Sequence, residues 1–387
     1  MTDMQKAVLY MHLFLLVLLA STVVSCGGDD GLGYKARVET NDEDEDNTSA
    51  TLNAYYVYKL PVVFHVLYVD AKDATQRVSA SRLQTIVNNV NDLLEGGIYG
   101  KSAKLNVRLV MAAYDEKGNK LSTPGVDYIQ LTGDYPIDPN VLMNDRTGKY
   151  SQYIWDPNEY VNIMLYHFAT SEEAKGTTLG ISHLPYTVEG DNEMEGLTAI
   201  KQKRLTKSMI DFCYCSSINS QYINNESSRY GKSDKGRSGY TYNSSDINVT
   251  IAHELGHYLG LLHTYTERDG EQVDSCGDTD YCTDTPSYNR NEYDSYLSDY
   301  LKKHAGENLT MNDLVRRLSC DGKSFESTNM MDYSIGYAYA FSEEQKKRVR
   351  EVLYYSPLLP GPKKNRTEDT RSNATTTRVS LPIRTIK

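Results

Sequence analysis

Three histidines at positions 253, 257 and 263, within the segment running from Asp246 to His263, constrain this 387-residue chain more than any other feature. Asp246 suits a helix N-cap and residues 247–259 contain no proline, so the pattern predicts a helix there. His253 and His257 would then project from one face, one turn apart, where two neutral imidazoles can meet one zinc ion. A catalytic zinc takes three protein ligands and keeps an open position for water, so two histidines leave it one short. Gly260 can adopt a left-handed conformation without a Cβ penalty, end the helix and return His263 to the metal. Glu254, beside the ligands, is placed to take a proton from a zinc-bound water, whose pKa the metal lowers towards about 7, and to pass it to a leaving amine. An HExxH pair alone is often only a polar helix face. Adding Gly260 and His263 reduces the accidental expectation to roughly one in ten thousand chains, and the layout implies a peptide hydrolase.

On these residues the chain resembles the metzincin zinc endopeptidases, whose extended motif HExxHxxGxxH is matched at every fixed position. Asn329-Met330-Met331-Asp332-Tyr333 is similar to the methionine turn of the pappalysin branch, with Met331 68 residues after His263. The resemblance implies Met331 as the turn methionine beneath the metal. It implies Tyr333 as a side chain that leans towards the metal or donates a hydrogen bond to the developing oxyanion. Pro61 to Val66, His263-Thr264-Tyr265, Asp284-Thr285-Pro286 and Phe341 to Gln345 are similar to further landmarks of that branch, so the resemblance spans about residues 58–355. It implies an α/β (α+β) fold with a mixed twisted sheet, a backing helix, an active-site helix and a smaller C-terminal subdomain. It also implies one catalytic Zn2+ and a protein or peptide substrate lying along an edge strand above it. Ser342 to Gln345 is in addition a capping box for a helix over 343–354. His65 reads as a strand histidine rather than a ligand.

Periodicity supplies the rest of the body. Leu60 to Tyr68 reads as a buried strand, and Leu105 to Met111 and Tyr160 to Phe168 are strand-like. Leu83, Ile86, Val87, Val90, Leu93 and Leu94 fall on one face of a helix over 79–94 that Gly96 and Gly97 close. Gly118-Asn119 marks a hairpin. The polar, Ser/Tyr/Asn-rich residues 213–245 read as a long surface excursion.

Residues 7–24 are an apolar run after Lys6 that ends at Ser25, which reads as an export signal. Val23-Val24-Ser25-Cys26 resembles the bacterial lipobox, whose cysteine is lipidated and begins the mature protein. The domain reading is therefore a signal peptide over 1–25 and a lipidated Cys26 with an acidic tether over 26–54. A catalytic domain follows over 55–357, divided into 55–262 and 263–357, and then a basic flexible tail over 358–387, dispensable for folding. An inhibitory pro-segment is the alternative reading of the tether. The localisation that follows is a lipid anchor at the bacterial cell envelope, on the outer membrane. With 41 Lys plus Arg against 52 Asp plus Glu, a net charge of −11, the chain lacks the clustered positive charge that binding a nucleic-acid backbone requires.

Five cysteines lie beyond Cys26. The resemblance implies a disulfide between Cys276 and Cys320, with Cys282 then facing Cys213 or Cys215. Asp278, Asp280 and Asp284 lie in a loop where pappalysins resemble calcium binders, so the reading there is Ca2+ or, equally, a solvated acidic turn. The rival function is a surface binding or adhesion lipoprotein with a structural or latent zinc site. The count of 32 Tyr against 6 Phe suits such a surface.

Overall fold

Tyr58–Tyr68 (β1) is buried along nearly its whole length, as a central parallel strand with both faces covered must be. The computed structural model describes residues 55–169, 177–230, 242–333, 335–363 and 379–387. The expected signal peptide, Cys26 and the acidic tether lie outside the described residues. On one side of β1 run Val107–Met111 (β2) and Val126–Gln130 (β3), end to end and both parallel to it. On the other side lies Val161–Tyr166 (β4), also parallel. Gly180–His183 (β5) is set antiparallel to a further parallel strand, Ser216–Asn219, so the sheet is mixed.

Between β1 and β2 the helix Ala80–Glu95 (α1) buries all six apolar residues of the face read from periodicity. Ser79 caps it by accepting a hydrogen bond from the Arg82 amide. Each such side chain stabilises the fold by roughly 1.5–3 kcal/mol when withdrawn from water, and together they back the sheet. A short helix, Pro139–Met143 (α2), lies between β3 and β4. After β5 come Tyr186–Val188 (β6) and Thr198–Ile200 (β7), a parallel pair, then Ser216–Asn219 (β8). Ile247–Tyr258 (α3) is the histidine helix. Beyond it lie the hairpin Glu267–Arg268 (β9) with Glu271–Gln272 (β10), and the helices Arg290–Lys303 (α4) and Met311–Leu314 (α5). Arg316–Leu318 (β11) with Ser324–Glu326 (β12), Glu343–Tyr355 (α6) and Thr385–Ile386 (β13) complete the order. The sheet reads β13-β5-β8-β4-β1-β2, with β3 continuing beyond β2 along β1. Residues of β1, α1, α3 and α6 share the largest apolar core. Among the described residues no helix is long and apolar enough to cross a membrane.

Three sequence expectations are corrected. Gly118-Asn119 does not join two strands of a hairpin. Asp115 Oδ1 accepts the amides of Lys117 and Asn119 in a tight turn bridged only at Tyr114 and Lys120. The strands flanking it both run parallel to β1. Nor are residues 213–245 all a surface excursion, since Cys213 to Ser220 are buried and β8 stands inside the sheet. Its small polar side chains are satisfied locally, Ser216 Oγ lying 2.7 Å from Ser182 Oγ, so they cost little to bury. Residues 231–241 of that stretch are outside the described part. The basic tail is likewise not wholly loose. Leu358 and Leu359 are fully buried, and residues 379–387 return to the sheet, with Leu381 and Ile386 buried and β13 paired to β5. Apolar side chains at 358, 359, 381 and 386 outweigh the charge that suggested a free segment.

Candidate active site

The helix α3 begins at Asp246, whose Oδ1 accepts the amides of Asn248 and Val249 while its Oδ2 accepts from the Ser227 amide and the Tyr230 hydroxyl. It ends at Leu259. Gly260 follows at φ +91°, and a Cβ there would stand 2.7 Å from Val352 Cγ2 of α6. Glycine is thus needed twice over, for the turn and for the close approach. The Arg348 guanidinium of α6 donates to the Gly260 carbonyl at 2.7 Å and fixes the turn that brings His263 back.

The three imidazoles converge. Nε2 of His253 lies 3.0 Å from that of His257 and 3.3 Å from that of His263, and the last pair is 3.2 Å apart. Each ring's other nitrogen meets an acceptor: His253 Nδ1 the Met330 carbonyl, His257 Nδ1 the Leu261 carbonyl, His263 Nδ1 the Glu267 carboxylate, all within 2.8–2.9 Å. The protons therefore sit on Nδ1 and three Nε2 lone pairs face one another. Burial, reinforced by the neighbouring rings, drives His257 and His263 well below the usual imidazole value, and burial lowers His253 too, so no added proton relieves the repulsion. Three neutral nitrogens aimed at one point, with oriented rings and a cleft on the remaining side, fit a tetrahedral zinc with one open position. Among the described residues this is the one group of His, Cys, Asp or Glu close enough to share a metal ion.

Glu254 lies beside them in a cleft of about 460 Å³ lined also by Gly180, Tyr222, Val249 and Tyr333. It is buried, its Oε2 has no hydrogen-bond partner among the described residues, and burial raises its carboxyl well above the usual range. Gly180 of β5 makes room for it, since a Cβ there would fall 2.5 Å from Glu254 Cγ and 2.7 Å from Oε1.

The segment from Asn329 to Tyr333 lies against the histidines. The Met330 carbonyl takes the His253 proton, and the Met331 carbonyl accepts the Thr264 amide next to His263. Asn329 accepts the Met331 amide and exchanges two hydrogen bonds with Gln345, the residue that completes the capping box of α6. That capping box therefore also anchors the turn. Tyr333 places its ring 5.9 Å from His263 and 6.4 Å from His253, with the Arg290 guanidinium 4.1 Å over its face. His65 is a strand histidine, held between Asp127 and Asn162.

Cys276 and Cys320 form the disulfide the resemblance implied. Cys282 does not pair with Cys213 or Cys215. All three are free and buried, Cys213 and Cys215 sharing an apolar pocket with Met143. The calcium reading gains no support, because each of the three carboxylates already accepts hydrogen bonds from the protein. Asp280 turns inward to the Cys282 amide and the Thr285 hydroxyl, and burial lifts it to about 8. Asp278 accepts the Tyr281 amide, and Asp284 the amide of Glu344 on α6. Sequence reasoning missed Glu267, Gly180 and the Asn329–Gln345 pair. Only Glu267 had a usable signal, lying four residues beyond His263.

A buried three-histidine point, an adjacent carboxylate and a methionine turn beneath them define a metallopeptidase of the metzincin type. Residues 217–354, which contain α3, His263 and the methionine turn, match the Peptidase_M43 family model, described as pregnancy-associated plasma protein-A. Over that segment the chain is similar to the pappalysin family, and the match supports a metalloendopeptidase. None of the curated proteins compared matches it. Solved structures similar to it include Tannerella forsythia mature mirolysin in complex with a cleaved peptide, at 18% identity and TM-score 0.48 over 76% of this chain and 90% of that one. A Tannerella forsythia promirolysin mutant is similar at 17% identity and TM-score 0.46, over 81% and 89% of the two chains.

Proposed function

We propose that this chain is a zinc-dependent metalloendopeptidase that hydrolyses peptide bonds of proteins or peptides at the cell envelope, where a lipid on Cys26 holds it. The observation that carries the reading is the set of three Nε2 lone pairs 3.0–3.3 Å apart, each fixed by a hydrogen bond from its own Nδ1. Zinc on His253, His257 and His263, when bound, polarises the scissile carbonyl and acidifies the attacking water. Glu254 accepts the proton from that water at a carboxylate oxygen that has no competing partner and returns it to the leaving amine. Tyr333 lies across the cleft, where its hydroxyl can donate to the oxyanion as charge develops.

Incubating the full chain with a diverse peptide mixture, and mapping products by mass spectrometry, should give internal cleavages that a chelator abolishes and added zinc restores. One zinc per chain with no cleavage of any peptide would overturn the reading. Tyr333→Phe is expected to lower kcat by about 10²–10³-fold with little change in KM, as loss of a donor specific to the transition state does. Equal kcat in the two proteins would make Tyr333 a structural residue. For the anchor, Cys26→Ser expressed in a bacterial host should move the protein from the membrane to the soluble fraction, and unchanged membrane partitioning would refute lipidation.

A further inference from the structure

β5 borders the active-site cleft, and its outer edge is not bare. β13 lies along it antiparallel, with Thr385 facing His183 and Ile386 facing Ser182. Because β5 starts at Gly180 against Glu254, its partner runs towards Glu254 as residue numbers rise. Lys387 accordingly lines the same cleft as His253, Glu254 and Tyr333. An extended peptide in this place and direction presents the residue facing Ser182 on the amino side of any bond brought to Glu254.

The strand is held by more than its ladder. The Leu184 amide donates to the Arg384 carbonyl at 3.1 Å, the Tyr186 hydroxyl to the Pro382 carbonyl at 2.9 Å, and the Arg146 guanidinium to the Leu381 carbonyl at 3.0 Å. Ile386 is 1% exposed and fills a pocket of Leu184, Leu197 and Leu262, the last of these directly preceding His263. Across the β9–β10 turn, a Cβ on Gly270 would stand 3.8 Å from Ile386 Cγ1. The edge of the cleft is therefore a built site for an extended chain with a branched aliphatic side chain beside the third histidine.

We propose that residues 379–387 occupy this groove in the free protein as a resident, substrate-like strand that a peptide substrate must displace. The pocket of Leu184, Leu197 and Leu262 then selects peptides with a branched aliphatic side chain at the position Ile386 takes. The word substrate rests on the hydrolase reading above; the strand pairing does not. Another chain reaches Glu254 only after this strand leaves β5, so the occupied fraction lowers the apparent activity in proportion.

The test uses the full chain, the parent beside Ile386→Asp, which places a charge in the apolar pocket. Ile386→Ala gives the same signs at smaller size should the aspartate protein not fold. Hydrogen exchange at the Leu184 amide is expected to quicken in the variant, and kcat/KM on the peptide mixture to rise by about 10-fold or more. The mapped cleavages should be enriched in Ile, Val or Leu at the selected position. A synthetic peptide of residues 379–387 should bind the variant and inhibit it competitively. Unchanged exchange would overturn the docked strand, and quickened exchange without a rise in kcat/KM would overturn its role as an occupant of the substrate groove. If no form hydrolyses any peptide, the hydrolase reading fails by itself, and binding of the synthetic peptide to the variant still decides whether the groove takes an extended chain.

Discussion

Glu254→Gln is expected to fold, to bind zinc at about one per chain, and to lose turnover by about 10²–10⁴-fold, the range that a positioned general base contributes. The amide matches the carboxylate in shape, so the buried space beside Gly180 stays filled. It cannot take a proton, so in the proposed mechanism the attacking water loses its base. No atom of Glu254 orients the histidines: their Nδ1 protons go to Met330, Leu261 and Glu267. Metal content and thermal stability should therefore stay near those of the parent while kcat collapses. The loss corresponds to about 2.7–5.5 kcal/mol of barrier. Gly180→Ala serves as a positional control, since its methyl would push Glu254 aside and lower kcat by a smaller factor with the metal retained. A Glu254→Gln protein with parental kcat, measured on the same peptides and free of contaminating protease, would remove Glu254 from the mechanism.

How much of this site was legible in the sequence depends on how local its cause is. α1 could be read because six apolar side chains repeat with the helical period between Ser79 and Gly96, and a helix needs only that to bury one face. The turn at Gly260 could be read because a left-handed φ is a property of one residue. β5, β8 and β13 could not. Gly180-Ile-Ser-His and Ser216-Ser-Ile-Asn hold too few large apolar residues to alternate, and they are strands because sheet neighbours and α3 cover them. Thr385-Ile386 carries no strand signal apart from the edge it meets, and its basic surroundings argued for a loose segment. The same distinction separates the site residues. The three histidines and Glu254 are set by spacing on one helix and its exit turn. Glu267 becomes a partner of His263 only when β9 folds beneath it, and Asn329 meets Gln345 only when α6 docks.

His257→Ala is expected to abolish stoichiometric zinc and, with it, all hydrolysis, and the two effects should be separable from misfolding. His257 supplies one of three nearly equidistant nitrogens, within 3.0–3.2 Å of both others, so its loss would leave two of the three proposed ligands for a metal that needs three from the protein. In the parent, a metal bound only by the folded state adds stability by mass action, about 4 kcal/mol at a thousandfold excess over Kd. Chelation should therefore lower the parent's Tm by several degrees. The variant should show a Tm that a chelator does not move, because it has no metal to lose. Its apo fold should hold, since the methyl of alanine stays compatible with helix α3 and three converging lone pairs become two, which removes repulsion from a buried point. Mass spectrometry under native conditions, metal analysis and thermal melts with and without chelator read these effects independently. A His257→Ala protein that still binds one zinc and still melts lower in chelator would place the metal elsewhere in the chain.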